Sequence, residues 1–104
     1  MEKMVKLMVL HHSPDDLEEF DQHYFGTFLP SVHNVPGVVG GEVMKFRAMP
    51  KGDPPPYHSQ LMILFPDEGT LQKSLLSAEW ATVIENLETR VPAVFTLFLG
   101  ELVW

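Results

Sequence analysis

Three stretches of this chain are apolar on consecutive residues, where a strand with one wet face would alternate. Val5 to Leu10 reads VKLMVL, with Val5, Leu7 and Val9 on one face and Met8 and Leu10 on the other. Within Tyr57 to Phe65, Leu61 and Ile63 oppose Met62 and Leu64. Within Ala93 to Leu99, Phe95 and Leu97 oppose Val94 and Phe98. Successive strand side chains point to opposite faces, so a sheet built from these segments has to be covered on both sides.

The helical segments are too few to do that. Leu17, Phe20, Tyr24, Phe28 and Val32 recur at gaps of three and four and form one stripe of an amphipathic helix. Ser13 is placed to cap it, Pro14 suits its first position and Asp16 the acid of a capping box. The helix runs to about Asn34, is kinked or divided at Pro30, and stops at Pro36-Gly37. A second helical region spans Asp67 to Leu87, broken near Ser77, with Leu71, Leu75, Trp80, Ile84 and Leu87 at helical spacing. Glu42 to Ala48 reads as a strand, Met49 to Pro56 as a Pro-rich connector, and Glu101 to Trp104 as an extension of the last strand.

The order is strand, helix, strand, strand, helix, strand, which is the ferredoxin-like βαββαβ arrangement of the α+β class, with a four-stranded antiparallel sheet. Its two helical regions cover one sheet face and leave the other apolar and bare. A bare apolar face of this size marks an interaction surface, and a second copy packed sheet to sheet is the simplest cover. An obligate homodimer is therefore expected. A C-terminal tail folded back over the second face is the competing arrangement.

The chain of 104 residues is expected to be a single domain over residues 1–104. Its net charge of −7 and seven scattered Lys and Arg argue against nucleic acid and against an anionic membrane surface. No apolar run approaches the length of about 20 residues that a membrane span needs, and MEKMVK has no signal-peptide form, so a cytoplasmic setting is expected. The absence of cysteine removes a thiolate nucleophile and thiolate metal sites.

In the expected topology the first strand ends near the start of the third, so His11, His12 and His58 gather at one end of the sheet. Three imidazoles near Asp15 and Asp16 suggest a metal site, but adjacent strand residues diverge, so His11 and His12 are poorly placed to share an ion and no metal is expected. His58 is a candidate acid or base, or a solvated strand-end residue. Tyr24 is the better candidate. Its ring lies mid-stripe and must face the sheet, while its hydroxyl needs a partner, from a ligand or from the backbone. His23 lies roughly 100° round the helix from Tyr24, at a pocket rim or in solvent. His33, near the helix end, is in reach of the second strand. Phe28, one turn beyond Tyr24, should face the same cavity between helix and sheet, and Trp80 is either core or pocket wall. The expected site is thus Tyr24, His23 and His58 for chemistry, with Tyr24, Phe28, His11, His58 and Trp80 against the ligand. No phosphate loop or dinucleotide motif is present, so no cofactor is expected.

The stretch FDQHYFGTFLPSVHNVPGV resembles the signature helix of the EthD family, in which His-Tyr is followed four residues after the Tyr by a second His, then by Pro and a Pro-Gly turn. His23, Tyr24, Pro30, Pro36 and Gly37 match, while Phe28 occupies the place of the second His. MVKLMVLHHSPDDLEEFDQHY, PYHSQLMILFPDEGTLQKSLLSAEW and FTLFLGE resemble the family's other elements. The resemblance implies a dimeric α+β barrel and small-molecule chemistry in a degradative or biosynthetic pathway associated with an oxygenase, as in ethyl tert-butyl ether degradation. The ligand implied is a small apolar or aromatic metabolite. Phe28 cannot exchange protons as an imidazole does, so another side chain takes that part, or the protein binds without turnover, or the family His is not catalytic in this branch. The alternative is a dimerisation module with a filled core and no ligand.

Overall fold

The structure, a computed structural model, describes residues 4–89 and 94–103. Four strands, β1 (Val5–His12), β2 (Gly40–Lys45), β3 (Tyr57–Phe65) and β4 (Phe95–Glu101), form one antiparallel sheet in the order β2-β3-β1-β4. The apolar runs of β1 and β3 pair at its centre, with Val9 opposite Leu61 and Leu7 opposite Ile63. The strand between Glu42 and Ala48 is shifted from expectation. It begins at Gly40 and ends at Lys45, ahead of the Met49–Gly52 turn, which is closed by a 2.8 Å bond from the Gly52 N–H to the Met49 carbonyl.

The first helical region is α1 (Leu17–His23), a π-helical turn (Tyr24–Phe28) and α2 (Leu29–Val32). Ser13 does not cap it. Asp16 does, accepting from the Glu19 N–H at 3.1 Å, and the helix starts three residues later than Pro14 suggested. An aspartate caps as well as a serine does, and it puts Glu18 and Glu19 in the first turn, where the helix dipole favours negative charge. Pro30 then explains the wide turn. It has no N–H, and in a regular helix its ring would meet the carbonyl of Gly26. The widened turn, with the Leu29 N–H bonded to the Tyr24 carbonyl, relieves that clash. It also corrects the stripe. Steps of four advance about 40° beyond a full α-helical turn, so Phe20, Tyr24, Phe28 and Val32 would drift round the helix without it. All four are buried, whereas Leu17, expected on the stripe, is exposed in the first turn.

The second region is α3 (Glu68–Leu75), capped by Asp67, and α4 (Ala78–Thr89), with the break at Ser77, whose Oγ accepts from the Trp80 N–H at 3.1 Å. Leu71, Trp80 and Leu87 enter the core as their spacing predicted, Leu75 and Ile84 pack at its edge, and Val83 joins them. The inner sheet face, made of Val5, Leu7, Val9, Leu61, Ile63 and Phe65, packs against these two helical layers.

Pro36-Gly37 docks the two layers. Gly37 adopts φ +90°, and a Cβ there would lie 2.5 Å from Thr70 Cγ2 and 2.7 Å from Ser74 Oγ. Ser74 is itself buried and donates to the Pro36 and Thr70 carbonyls. Gly37→Ala combines left-handed strain with a collision against helix α3. It is expected to cost at least about 2 kcal/mol, measured by denaturant unfolding, and a smaller loss would show that the turn can move away from α3.

The outer face bears Met8, Leu10, Met44, Met62, Leu64 and Phe98 at its apolar centre, with Lys6, Glu42, Gln60 and Thr96 around them, and no helix among the described residues covers it. Met8 pairs with both Met62 and Phe98, so the apolar surface is continuous across the three strands. The tail does not fold back over it among the described residues. Leu102 donates to the Met4 carbonyl and continues the line of β4, and both Leu102 and Val103 are exposed. Ala93 and Trp104, expected in the last strand and its extension, lie outside the described residues.

Candidate functional site

The expected gathering of histidines occurs, through a local irregularity. His11 stands opposite Ser59 and His12 opposite Tyr57, so His58 is an extra residue, a β-bulge on β3. In a regular strand His58 and Ser59 would point to opposite faces. At this bulge Ser59 is fully buried, and the His58 ring packs edge-on against Phe20 at 4.5 Å on the helix side. His12 goes the other way, onto Tyr57 at 5.0 Å, so His11 and His12 do diverge.

His11 lies at the centre of an aromatic box. Its ring is 5.3 Å from Phe20, 5.1 Å from Tyr24, 6.2 Å from Phe28 and 6.4 Å from Phe95. Phe20 stacks on Tyr24 at 5.0 Å, and Phe28 is tilted against Tyr24 at 5.3 Å. The stripe of helical rings thus closes over the end of β1. The expected cavity open toward Tyr24 is not what these residues form. Tyr24, Phe28 and His11 each have 0% exposure, because rings spaced four apart stack on one another and fill the space.

The polar atoms inside this box are unpaired. Both ring nitrogens of His11, the Tyr24 hydroxyl, Ser59 Oγ and His58 Nδ1 are buried without a hydrogen-bond partner. Ser59 stands close enough to Tyr24 to offset part of the shift in its acidity, yet the two hydroxyls do not meet in hydrogen-bond geometry. Burial pushes the Tyr24 phenol well above its ordinary range. Burial, and to a lesser degree the neighbouring His58, hold His11 down to about 4. Both groups are therefore neutral at pH 7. Each unpaired buried group costs about 1–3 kcal/mol, which makes this the most frustrated part of the fold.

At the rim, Asp21 lies 3.9 Å from His58 Nε2 and 3.3 Å from Lys45 Nζ, and the Lys45 ammonium sits 5.1 Å from the Phe25 ring centre. Burial lowers the His58 pKa, Asp21 opposes this, and Lys45 adds to it. His23, on the last turn of α1, is half-buried and joins none of these ring contacts among the described residues. Among those residues no three His, Cys, Asp or Glu side chains cluster as a metal site would require.

Trp80 is elsewhere. With Leu7, Leu75, Ile84, Leu97 and Leu99 it lines an apolar recess of about 270 Å³. His33 is exposed and, with Leu29, Val32, Val38, Val43 and Leu61, lines a recess of about 320 Å³ near β2. The residue that sequence reasoning missed is Ser59. Its place opposite His11 follows from strand register.

No protein-family model and no curated protein matches the sequence. Solved structures do. An ethyl tert-butyl ether degradation (EthD) family protein from Bacillus halodurans superposes with a TM-score of 0.90 and 27% identity, over 96% of this chain and 99% of that one. An EthD-like protein from Ralstonia eutropha gives 0.78 and 16%, over 100% and 96%. The cofactor-independent oxygenase SnoaB from Streptomyces nogalater gives 0.71 and 12%, over 98% and 95%.

Proposed function

We propose that this chain, a member of the EthD family with the ferredoxin-like fold of its relatives, works as a homodimer that holds a small apolar or aromatic molecule at Tyr24. The observation that carries this reading is the Tyr24 hydroxyl, fully buried among Phe20, Phe28 and His11 and without a hydrogen-bond partner. A fold that needed only a core residue there would be better served by Phe, which leaves no polar atom unpaired. The dimer is supported by the outer sheet face, whose apolar residues no element covers among the described residues. Relatives by fold include a cofactor-independent oxygenase, which agrees with a site built from neutral side chains and rings. The setting is a degradative or biosynthetic pathway in the cytoplasm, with the chain as carrier or enzyme. No helix among the described residues is long and apolar enough to cross a membrane.

If the reading holds, Phe28 and His11 form the wall of the site and His58 its rim, while His23 and Trp80 lie at its margins. A dimerisation module with a filled core is the second reading, favoured by the complete burial of Tyr24 and Phe28. Tyr24→Phe separates the two. Under the first, stability is unchanged or rises by about 1 kcal/mol, and binding of carbonyl- or hydroxyl-bearing aromatics weakens about fivefold. Denaturant unfolding and calorimetric titration check this. The same change in stability with no binding by either protein would favour the filled core.

A further inference from the structure

We propose that the second copy on the outer sheet face sits in one register, in which Lys6 of each protomer pairs with the partner subunit's Glu42. The inference rests on the dimer reading above and adds the contact that orients it.

On the outer face one row of residues crosses the sheet at Gly40, Leu64, Lys6 and Gly100, and the next at Glu42, Met62, Met8 and Phe98. The two rows hold one cation and one anion, and neither Lys6 nor Glu42 has an ion-pair partner among the described residues. Lys6 lies on β1, an inner strand, so it does not guard a strand edge against other chains. Beside Leu64 and Met8 it is costly to cover, unless a counter-charge arrives with the cover.

The two charges line one recess of about 250 Å³, together with Gly40, Met62 and Leu64. Gly40 makes the room. Its φ is not positive, and a Cβ there would meet only Leu64 Cδ2 at 3.9 Å, so nothing inside the chain calls for glycine. A strand glycine of this kind suits close approach by another chain. The recess accepts the aliphatic stem of the partner's Lys6 as its ammonium reaches Glu42.

Symmetry then selects the register. A two-fold axis lying between facing sheets places each position over its mirror image in that axis, so contacts come in identical pairs. Lys6 meets the partner subunit's Glu42 when the axis crosses β3 midway between them, between Leu64 and Met62. With ordinary strand and residue spacings the same line passes between Met62 and Met8, through the middle of the apolar patch. One axis thus matches the charges and centres the apolar contact. It runs obliquely to the strands, so the facing strands cross steeply, as in orthogonal sheet packing.

The test compares Lys6→Glu, Glu42→Lys and the double variant with the native chain, by sedimentation from nanomolar to micromolar concentration, with circular dichroism to confirm folding. Each reversal alone is expected to weaken the dimer at least about tenfold, because like charges then face each other twice. The double variant should return to within about threefold of native. An equal mixture of the two single variants should form the heterodimer in preference to either homodimer, since every contact across it joins opposite charges. Single reversals that leave dissociation unchanged, or a double variant weaker than both, would overturn the register and leave the dimer in place. Restoration in the double variant without a preferred heterodimer would put the pair within one chain and overturn it too. A native chain that is monomeric at micromolar concentration would overturn the dimer and this register together.

Discussion

Phe98→Asp is expected to convert the protein from a dimer to a monomer. Phe98 is 49% exposed, so the isolated chain should tolerate an aspartate there without losing its inner core. In the proposed dimer the same position is covered, and two-fold symmetry introduces the charge twice. Met8 and Met62, next to it on the open face, offer no positive partner, and Lys6, on the same face of β1, is changed to Met in the same variant so that the aspartate stays unpaired. An unpaired charge in an apolar contact costs several kcal/mol, so dissociation should strengthen by at least about 100-fold. Light scattering at micromolar concentration should report a dimer for the native chain and about 11.8 kDa for the variant. The native unfolding midpoint should rise with protein concentration and the variant's should not, because only association couples stability to concentration. A native chain that is monomeric and cooperatively folded would remove the dimer.

Acid should destabilise the fold well before its carboxylates are exhausted, and His11 is the reason. The unfolded chain binds a proton at His11 near pH 6.5, whereas the folded chain, in which burial disfavours the imidazolium, does so only at about 4. Stability is therefore complete above about pH 6.5, falls as pH drops through the interval down to 4, and levels off below it. Integrated over that interval the loss is roughly 3 kcal/mol, a large part of the 5–15 kcal/mol that holds a typical domain together. No carboxylate is among the ring contacts of His11. Its neighbours are Tyr24, Phe20, Phe28 and Phe95, with His58 acting at longer range to oppose protonation. His11→Phe removes this proton from the balance, so the difference between native and variant unfolding free energies should change by that amount between pH 7 and 4. Parallel pH profiles for the two proteins would show that His11 is protonated in the fold, and that the box is wetter than its geometry indicates.

The two predictions draw on different levels of information. The open sheet face could be read directly from residue order, because strand side chains alternate strictly and a doublet such as Met62 and Leu64 opposite Leu61 and Ile63 leaves no wet side. The same holds for the helical stripe, where gaps of three and four and the missing N–H of Pro30 determine a buried face and a break. Residue chemistry also marked Tyr24 as a buried ring with a hydroxyl to satisfy.

The surroundings of that hydroxyl were decided only in three dimensions. Ser59 meets His11 because β1 and β3 pair in one register, and His58 turns to the helix side because an extra residue enters that pairing at one rung. Neither the register nor the bulge leaves a local signal in Tyr57-His58-Ser59, since pairing is a property of two distant segments. The closure of the stripe over His11 is likewise tertiary. Spacing placed Phe20, Tyr24 and Phe28 on one face, but only the π turn kept their rings in line and brought them together as a lid. The sequence by itself determined which faces must be buried, because that depends on periodicity along one segment. The tertiary structure decided which polar atoms are buried unpaired, because that depends on what the other segments bring to them.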